Sequence, residues 1–308
     1  MIYTVTTNPA IDMNVTVNKL LLGDVNRSYG AVYSPNGKGI NVSFVLKHFG
    51  IDSTILGFFG GFSGEYILSQ CKKRGHNVLP VEVEGVNRVN VFIGTDEGEY
   101  KVVNEGPFVS EKDKGKFIEI LQHIEDPEFV IISGSLSKGM DDDYYDEILK
   151  CCKVNGAKVV LDISSKKLKK LLKYRPLLIK PNDEEIKEVF SFSINSDEDA
   201  ITVLRYLHNE GAQNVLITMG EKGSYFYNGK CVWHCETHKI KLKSSACAGD
   251  GYLAAFLSVW LKDNCNIEDA LKLASATGAD IAESDGLGKL LNVEKYKDEI
   301  TVRKVWEE

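Results

Sequence analysis

Phe129-Val130-Ile131-Ile132-Ser133 and Lys158-Val159-Val160-Leu161-Asp162 are two short apolar runs, and the helix-patterned stretch Tyr144–Val154 lies between them. Near-continuous apolar runs of this length read as strands covered on both faces, and the helix between them reads as a crossover. The rhythm continues: a helix over residues 166–174, a strand over 177–180, helices over Asp183–Phe190 and 198–210, and a strand over 215–219. Steady strand–helix alternation predicts a mostly parallel sheet wrapped by helices, an α/β/α sandwich. Upstream, residues 2–7 and 53–58 read as further strands, with a helix over 65–74. Period-two alternation at 14–17, 28–33 and 88–94, with a hairpin partner at 99–103, predicts a second, small sheet instead of another crossover. The expectation is one domain over residues 1–308, with a β lid built from about residues 12–33 and 86–104.

Composition bounds the function. The chain has 308 residues, 43% of them apolar and 26% charged, which is ordinary for a globular protein. A net charge of −7 argues against a general nucleic-acid binder, although it leaves room for a local basic pocket. No apolar run approaches the ~18 residues of a membrane span. The strand pattern begins at Ile2 without a basic leader, and seven cysteines, an odd number, suggest reduced thiols. A cytoplasmic protein with no membrane partner is expected.

Three turns carry candidate chemistry. Ser244-Ser245-Ala246-Cys247-Ala248-Gly249-Asp250-Gly251 lies between a strand-like run at 238–242 and a helix pattern at 252–261. Small residues at a helix start leave backbone N–H groups free for an anion. Asp250 would repel a bound phosphate, so it reads as a base; the plain alternative is a capped turn before a core helix. The second turn, Asn36-Gly37-Lys38-Gly39-Ile40-Asn41-Val42, sets a lysine between glycines at a helix start but lacks Walker A spacing. The third is Asn8-Pro9, after which Asp12 falls near the C-terminal end of the first strand, the edge where open α/β sheets bind ligands. Cys231, His234, Cys235 and His238 suggest zinc only superficially. Strand geometry puts the cysteines and the histidines on opposite faces.

Taken in order, these stretches resemble the PfkB/ribokinase family of carbohydrate kinases, nearest its bacterial 1-phosphofructokinases and tagatose-6-phosphate kinases. Thr7-Asn8-Pro9-Ala10-Ile11-Asp12 is similar to the opening Asn-Pro-Ala-x-Asp, and residues 36–42 to Gly-Gly-Lys-Gly-x-Asn-Val. Ser133-Gly134-Ser135-Leu136, Ile179-Lys180-Pro181-Asn182 with Glu185, Met219-Gly220-Glu221-Lys222-Gly223 and Ala248-Gly249-Asp250 follow in family order. The resemblance implies a ribokinase-like fold with a β lid. It also implies transfer of the ATP γ-phosphoryl group to a sugar hydroxyl with Mg2+, and a homodimer joined through the lids.

It further implies roles for single residues. Asp250 would be the base, with the N–H groups of Cys247, Ala248, Gly249 and Asp250 as an anion hole. Asp12, Gly37, Gly39 and Asn41 would hold sugar hydroxyls. Lys38, Arg88 and Asn90 would hold the phosphate already on the sugar, and Ser135 would line the same pocket. Lys180, Thr218, Gly220 and Gly223 would flank the nucleotide, and Asn182 with Glu185 would order magnesium-bound water. Fructose 1-phosphate is the expected acceptor; tagatose 6-phosphate, or a weakened sugar-phosphate-binding regulator, is the alternative. Three positions depart from the pattern. Cys247 and Asn36 stand where glycine is usual, and Gly251 where Ser or Ala is. A thiol at a helix start is open to a lowered pKa, but an inert small side chain is the expected role of Cys247.

Overall fold

The computed structural model describes residues Met1–Glu308 and contains two sheets. In chain order the strands are β1 Ile2–Thr6, β2 Ala10–Thr16, β3 Tyr29–Asn36, β4 Thr54–Phe59, β5 Asn77–Glu82, β6 Arg88–Thr95 and β7 Gly98–Val102. They continue with β8 Phe129–Ser133, β9 Lys158–Asp162, β10 Leu178–Ile179, β11 Val215–Thr218, β12 Ser224–Tyr227, β13 Cys231–Cys235 and β14 Val302–Glu307. The helices are α1 Lys38–His48, α2 Gly61–Lys73, α3 Glu111–Gln122, α4 Tyr144–Val154 and α5 Leu168–Leu171. After them come α6 Asp183–Phe190, α7 Asp197–Asn209, α8 Ala248–Trp260, α9 Ile267–Ala282 and α10 Val293–Glu299.

The large sheet runs β14-β13-β12-β11-β10-β9-β8-β1-β4-β5. It is parallel from β5 to β11 and closes with three antiparallel edge strands. Alternate residues of the buried strands face different layers, as the pleat requires. Val130, Ile132, Val159 and Leu161 pack with α3 to α7, while Ile131 and Val160 pack with α1, α8, α9 and α10. The small sheet, β3-β2-β6-β7, is fixed to the rest where Ile11 meets Ile40, Phe44 and Ile67 of α1 and α2.

Two expectations need correction. Residues 238–242 form no strand. Lys241 donates its N–H to Glu283 Oε1 and Lys243 donates to the Ala282 carbonyl, so the segment spends its backbone groups on the end of α9. His238 stacks on Tyr296 and pairs with Glu299 at 3.2 Å, which holds it there. Residues 166–174 are helical only from Leu168, ending in a 3-10 turn at Tyr174. The helix α3 was not foreseen, because its charged first turns hide the two residues that bury, Phe117 and Leu121.

Gly251 has a packing reason. A Cβ there would overlap Cδ1 of Ile281 on α9, so α8 and α9 approach through the missing side chain. Gly251→Ala is expected to cost about 1–2 kcal/mol through overpacking. In an Ile281→Val background, which lacks that carbon, the same change should stabilise by about 0.5–1 kcal/mol through helix propensity. Thermal unfolding of the four variants reads this; a Gly251→Ala effect identical in both backgrounds would refute it.

Candidate active site

Strand register lines up the polar ends of the sheet. Thr6 pairs with Ser133, and Ser133 with Asp162. Lys180 follows β10 directly, and Asn182 bridges to Thr218 at the end of β11. Neighbouring strands lie about 4.8 Å apart, so one row of functional groups runs along the C-terminal edge. The starts of α1 and α8 face this row.

The start of α1 must come close to β1. A Cβ on Gly39 would fall 2.6 Å from the Val5 carbonyl oxygen, which is backbone and cannot yield, and Gly37 has φ 144. That approach brings Lys38 and Asn41 to the sheet edge. Lys38 Nζ lies 3.5 Å from Asp162 Oδ1, and the buried Lys180 Nζ lies 3.1 Å from the same oxygen. Burial pushes the Asp162 carboxyl up, but the two ammonium groups outweigh it and leave it below the usual range. Asp162 in turn holds Lys38 charged, helped by Asp250 and Glu185. Lys38 thus lies within the influence of three carboxylates, those of Asp162, Asp250 and Glu185.

Cys247 is the N-cap of α8, with φ 64 and ψ −11, and no side chain caps the helix. The left-handed conformation explains why glycine suits this position, and a cysteine there stores about 1 kcal/mol of strain. The N–H groups that follow have no acceptor within the helix, so they remain available to an anion. Burial raises the Cys247 thiol well above its usual value, reinforced by the carboxylates of Asp250 and Asp12. That direction fits an inert small side chain and not a reactive thiolate. Asp250 is buried, and its Oδ2 accepts a 2.8 Å hydrogen bond from Asn41 Nδ2. Burial raises its carboxyl to about 6, with Lys38 pulling the other way and Asp162 adding to the rise. A carboxylate poised there can take a proton near neutral pH.

One face of the small sheet closes the pocket. Asp12 and Asn90 sit opposite each other in register, as do Ala10 and Arg88, so these side chains point the same way. Asp12 is buried and accepts from Asn90 Nδ2 at 2.8 Å and from the Asn36 amide. Burial raises its carboxyl against those bonds and against Arg88. Arg88 donates through Nη2 to the Asn8 carbonyl at 3.1 Å, while its buried Nε has no partner in the chain. The buried hydroxyls of Thr6 and Ser133 are also unpartnered. Unpaired buried donors of this kind are what a polar ligand would satisfy.

The other expected residues fall on two sides of this row. Asn182 caps α6 in a reciprocal box: Glu185 N donates to Asn182 Oδ1 at 2.7 Å and Asn182 N to Glu185 Oε2 at 3.0 Å. Glu185 Oε1 also accepts from Ser164 Oγ at 2.7 Å. Gly220 and Gly223 bracket the turn between β11 and β12, and a Cβ on Gly223 would strike the Cys235 carbonyl. Ser135 is exposed on the loop after β8; its carbonyl accepts from Thr7 Oγ1. Sequence reasoning passed over Asp162 as a site residue. The available signal was a carboxylate closing an apolar strand at the ligand-binding edge.

No three acidic, histidine or cysteine side chains cluster closely enough to ligate an ion directly. Asn182 Oδ1 and Glu185 Oε2 serve the capping box and Glu185 Oε1 accepts from Ser164, so an ion near them would keep its own waters, a habit that suits magnesium.

Comparison with known proteins shows the family. The profile of the pfkB family carbohydrate kinases matches residues 5–292. A D-tagatose-1-phosphate kinase from Klebsiella oxytoca is 44% identical, over 98% of this chain and 99% of its own length. A 1-phosphofructokinase from Bacillus subtilis is 35% identical, over 99% and 100%. Phosphofructokinase-2 from Escherichia coli, solved in complex with substrates and products, superposes with a TM-score of 0.90 over 97% of this chain and 98% of its own; at 23% identity it speaks for the fold alone.

Proposed function

Starting from the fact that the chain belongs to the pfkB family of carbohydrate kinases and is an ATP-dependent phosphosugar kinase, we propose that its acceptor is a ketohexose 1-phosphate. D-tagatose 1-phosphate and its C4 epimer fructose 1-phosphate stand level as substrates, and the product is the 1,6-bisphosphate. The observation that carries a phosphorylated acceptor is the Arg88 guanidinium, held beside Asp12 with its buried Nε unpaired. Its planar fork suits phosphate oxygens. The relatives named above both act, by name, on 1-phosphates, which moves the reading away from tagatose 6-phosphate.

In this reading Asp12 and Asn41 orient the sugar, and Asp250 takes the proton of the C6 hydroxyl as that oxygen attacks the γ-phosphorus in line. A new P–O bond forms, the bond to the β-phosphate oxygen breaks, and ADP leaves. Free N–H groups at the start of α8 meet the charge that develops on the transferred group. Lys38, with Asp162 and Asp250 around it, fits beside the moving phosphoryl group better than beside the sugar's first phosphate. A magnesium ion held through water near Asn182 and Glu185 would supply further charge neutralisation. Lys180, Thr218, Gly220 and Gly223 fit the nucleotide side. Such an enzyme works in the cytoplasm, where its seven free thiols persist.

The test is the 31P spectrum of product made from ATP and each 1-phosphate. A second phosphomonoester resonance, coupled to the C6 protons, is expected; transfer to any other position overturns the assignment.

We also propose that the small sheet pairs two copies of the chain. Tyr33, Met13, Val91 and Val102 lie side by side in register on the face opposite Asp12, and Tyr33 and Val102 are half exposed. Val102→Glu should convert the wild-type dimer to monomer in sedimentation velocity. A monomeric wild type, or an unchanged dimer in the variant, contradicts this.

A further inference from the structure

Asn36 stands at a position where the motif it resembles has glycine, and its side chain donates one hydrogen bond and accepts two. It closes β3 in register with Ala10 and next to Asp12's partner Ser34. Its amide orientation is forced. The Gly37 N–H can only donate, and it faces Asn36 Oδ1 at 2.5 Å; the Asp12 carboxylate accepts from Asn36 Nδ2. The same Oδ1 accepts from Asn41 Nδ2 at 2.7 Å. Asn41 therefore presents its NH2 toward Asn36, and that group also reaches Asp250 Oδ2 at 2.8 Å and Cys247 Sγ at 3.3 Å. Two hydrogens serve three acceptors, and the sulfur is the weakest. A glycine at 36 could supply neither the donor nor the acceptor.

We infer that Asn36 is a positioning residue for phosphoryl transfer, tying the sugar-side carboxylate of Asp12 to the base Asp250 through the amide of Asn41. The inference rests on the roles of Asp12 and Asp250 given above. Asn36 fixes which way the Asn41 amide points, and Asn41 fixes one oxygen of the base. The other oxygen is left for the substrate hydroxyl. Sugar bound at Asp12 and the aim of Asp250 thereby share one hydrogen-bonded chain across β2, β3, α1 and α8.

The experiment compares Asn36→Ala and Asn36→Asp with wild type. Asn36→Ala should lower kcat about tenfold, the loss of one buried hydrogen bond's worth of alignment, with the KM for ATP within about twofold. Asn36→Asp keeps an acceptor for Gly37 and Asn41 but places a carboxylate against Asp12. It should recover most of kcat while raising the sugar-phosphate KM. In an Asn41→Ala background the Asn36→Ala effect on kcat should vanish. A role limited to folding predicts the reverse: kcat per folded molecule unchanged, and effects that add.

A second measurement needs no turnover, so it separates failure of this inference from failure of the kinase reading. The 13C carboxyl titration of Asp250 in the free protein reads the hydrogen bond directly. The charged groups around it are Lys38 on α1, Asp162 on β9 and Lys180 after β10, with the Cys247 thiol on its own helix. None of these is altered by Asn36→Ala. Loss of a fixed donor to the carboxylate should move the midpoint up by about half a pH unit. An unchanged midpoint together with unchanged kcat overturns the inference.

Discussion

Asp250→Asn lowers kcat by about 10³- to 10⁴-fold and leaves sugar-phosphate binding within about threefold, because only proton removal is lost. Asparagine is isosteric and can still face Asn41, so the pocket keeps its shape. The wild-type rate should show an acid limb. The base works ionised, and burial lifts its carboxyl to about 6. The rate is therefore full above that pH and falls as pH drops through it. In Asp250→Asn the residual rate should lose this limb. Rapid-quench kinetics and equilibrium binding of the sugar phosphate separate the two quantities. Near-normal turnover would remove Asp250 as the base, and loss of binding would make it a ligand-holding residue.

Arg88→Ala raises the KM for the sugar phosphate by about 30- to 300-fold with a smaller change in kcat. A half-buried guanidinium whose Nε is unpaired gains about 2–3 kcal/mol from a charge-assisted bond to phosphate. Removing it also leaves the Asn8 carbonyl without its donor. The sharper readout is selectivity: the preference for a phosphorylated over an unphosphorylated ketohexose should fall by about the same factor. Arg88→Lys should recover little, since an ammonium cannot reproduce the planar fork. An unchanged KM in Arg88→Ala would move the first phosphate elsewhere.

Much of this was legible in the chain. The apolar runs at Phe129–Ser133 and Lys158–Asp162 gave their strands because parallel strands buried on both faces leave no polar alternation. Small residues before Tyr252 gave the start of α8. Asp162 was hidden because an aspartate at a strand end carries no spacing motif; only strand register sets it between Lys38 and Lys180. Residues 238–242 looked like a strand because propensity cannot tell a ladder partner from the end of α9. The rise of the Cys247 thiol was beyond a local reading because burial and the nearby carboxylates of Asp250 and Asp12 set it, and Asp12 comes from a remote strand. Gly251 departs from the motif and leaves room for Ile281, a tertiary fact absent from any local window.

The central claim is that this site transfers a phosphoryl group from ATP to an already phosphorylated ketohexose. It is tested most directly by ADP release across D-tagatose 1-phosphate, fructose 1-phosphate, tagatose 6-phosphate, fructose 6-phosphate and the free sugars. The highest kcat/KM is expected on one or both 1-phosphates, with negligible turnover of free sugars. Equal turnover of free and phosphorylated sugars, or none on any member, would contradict it.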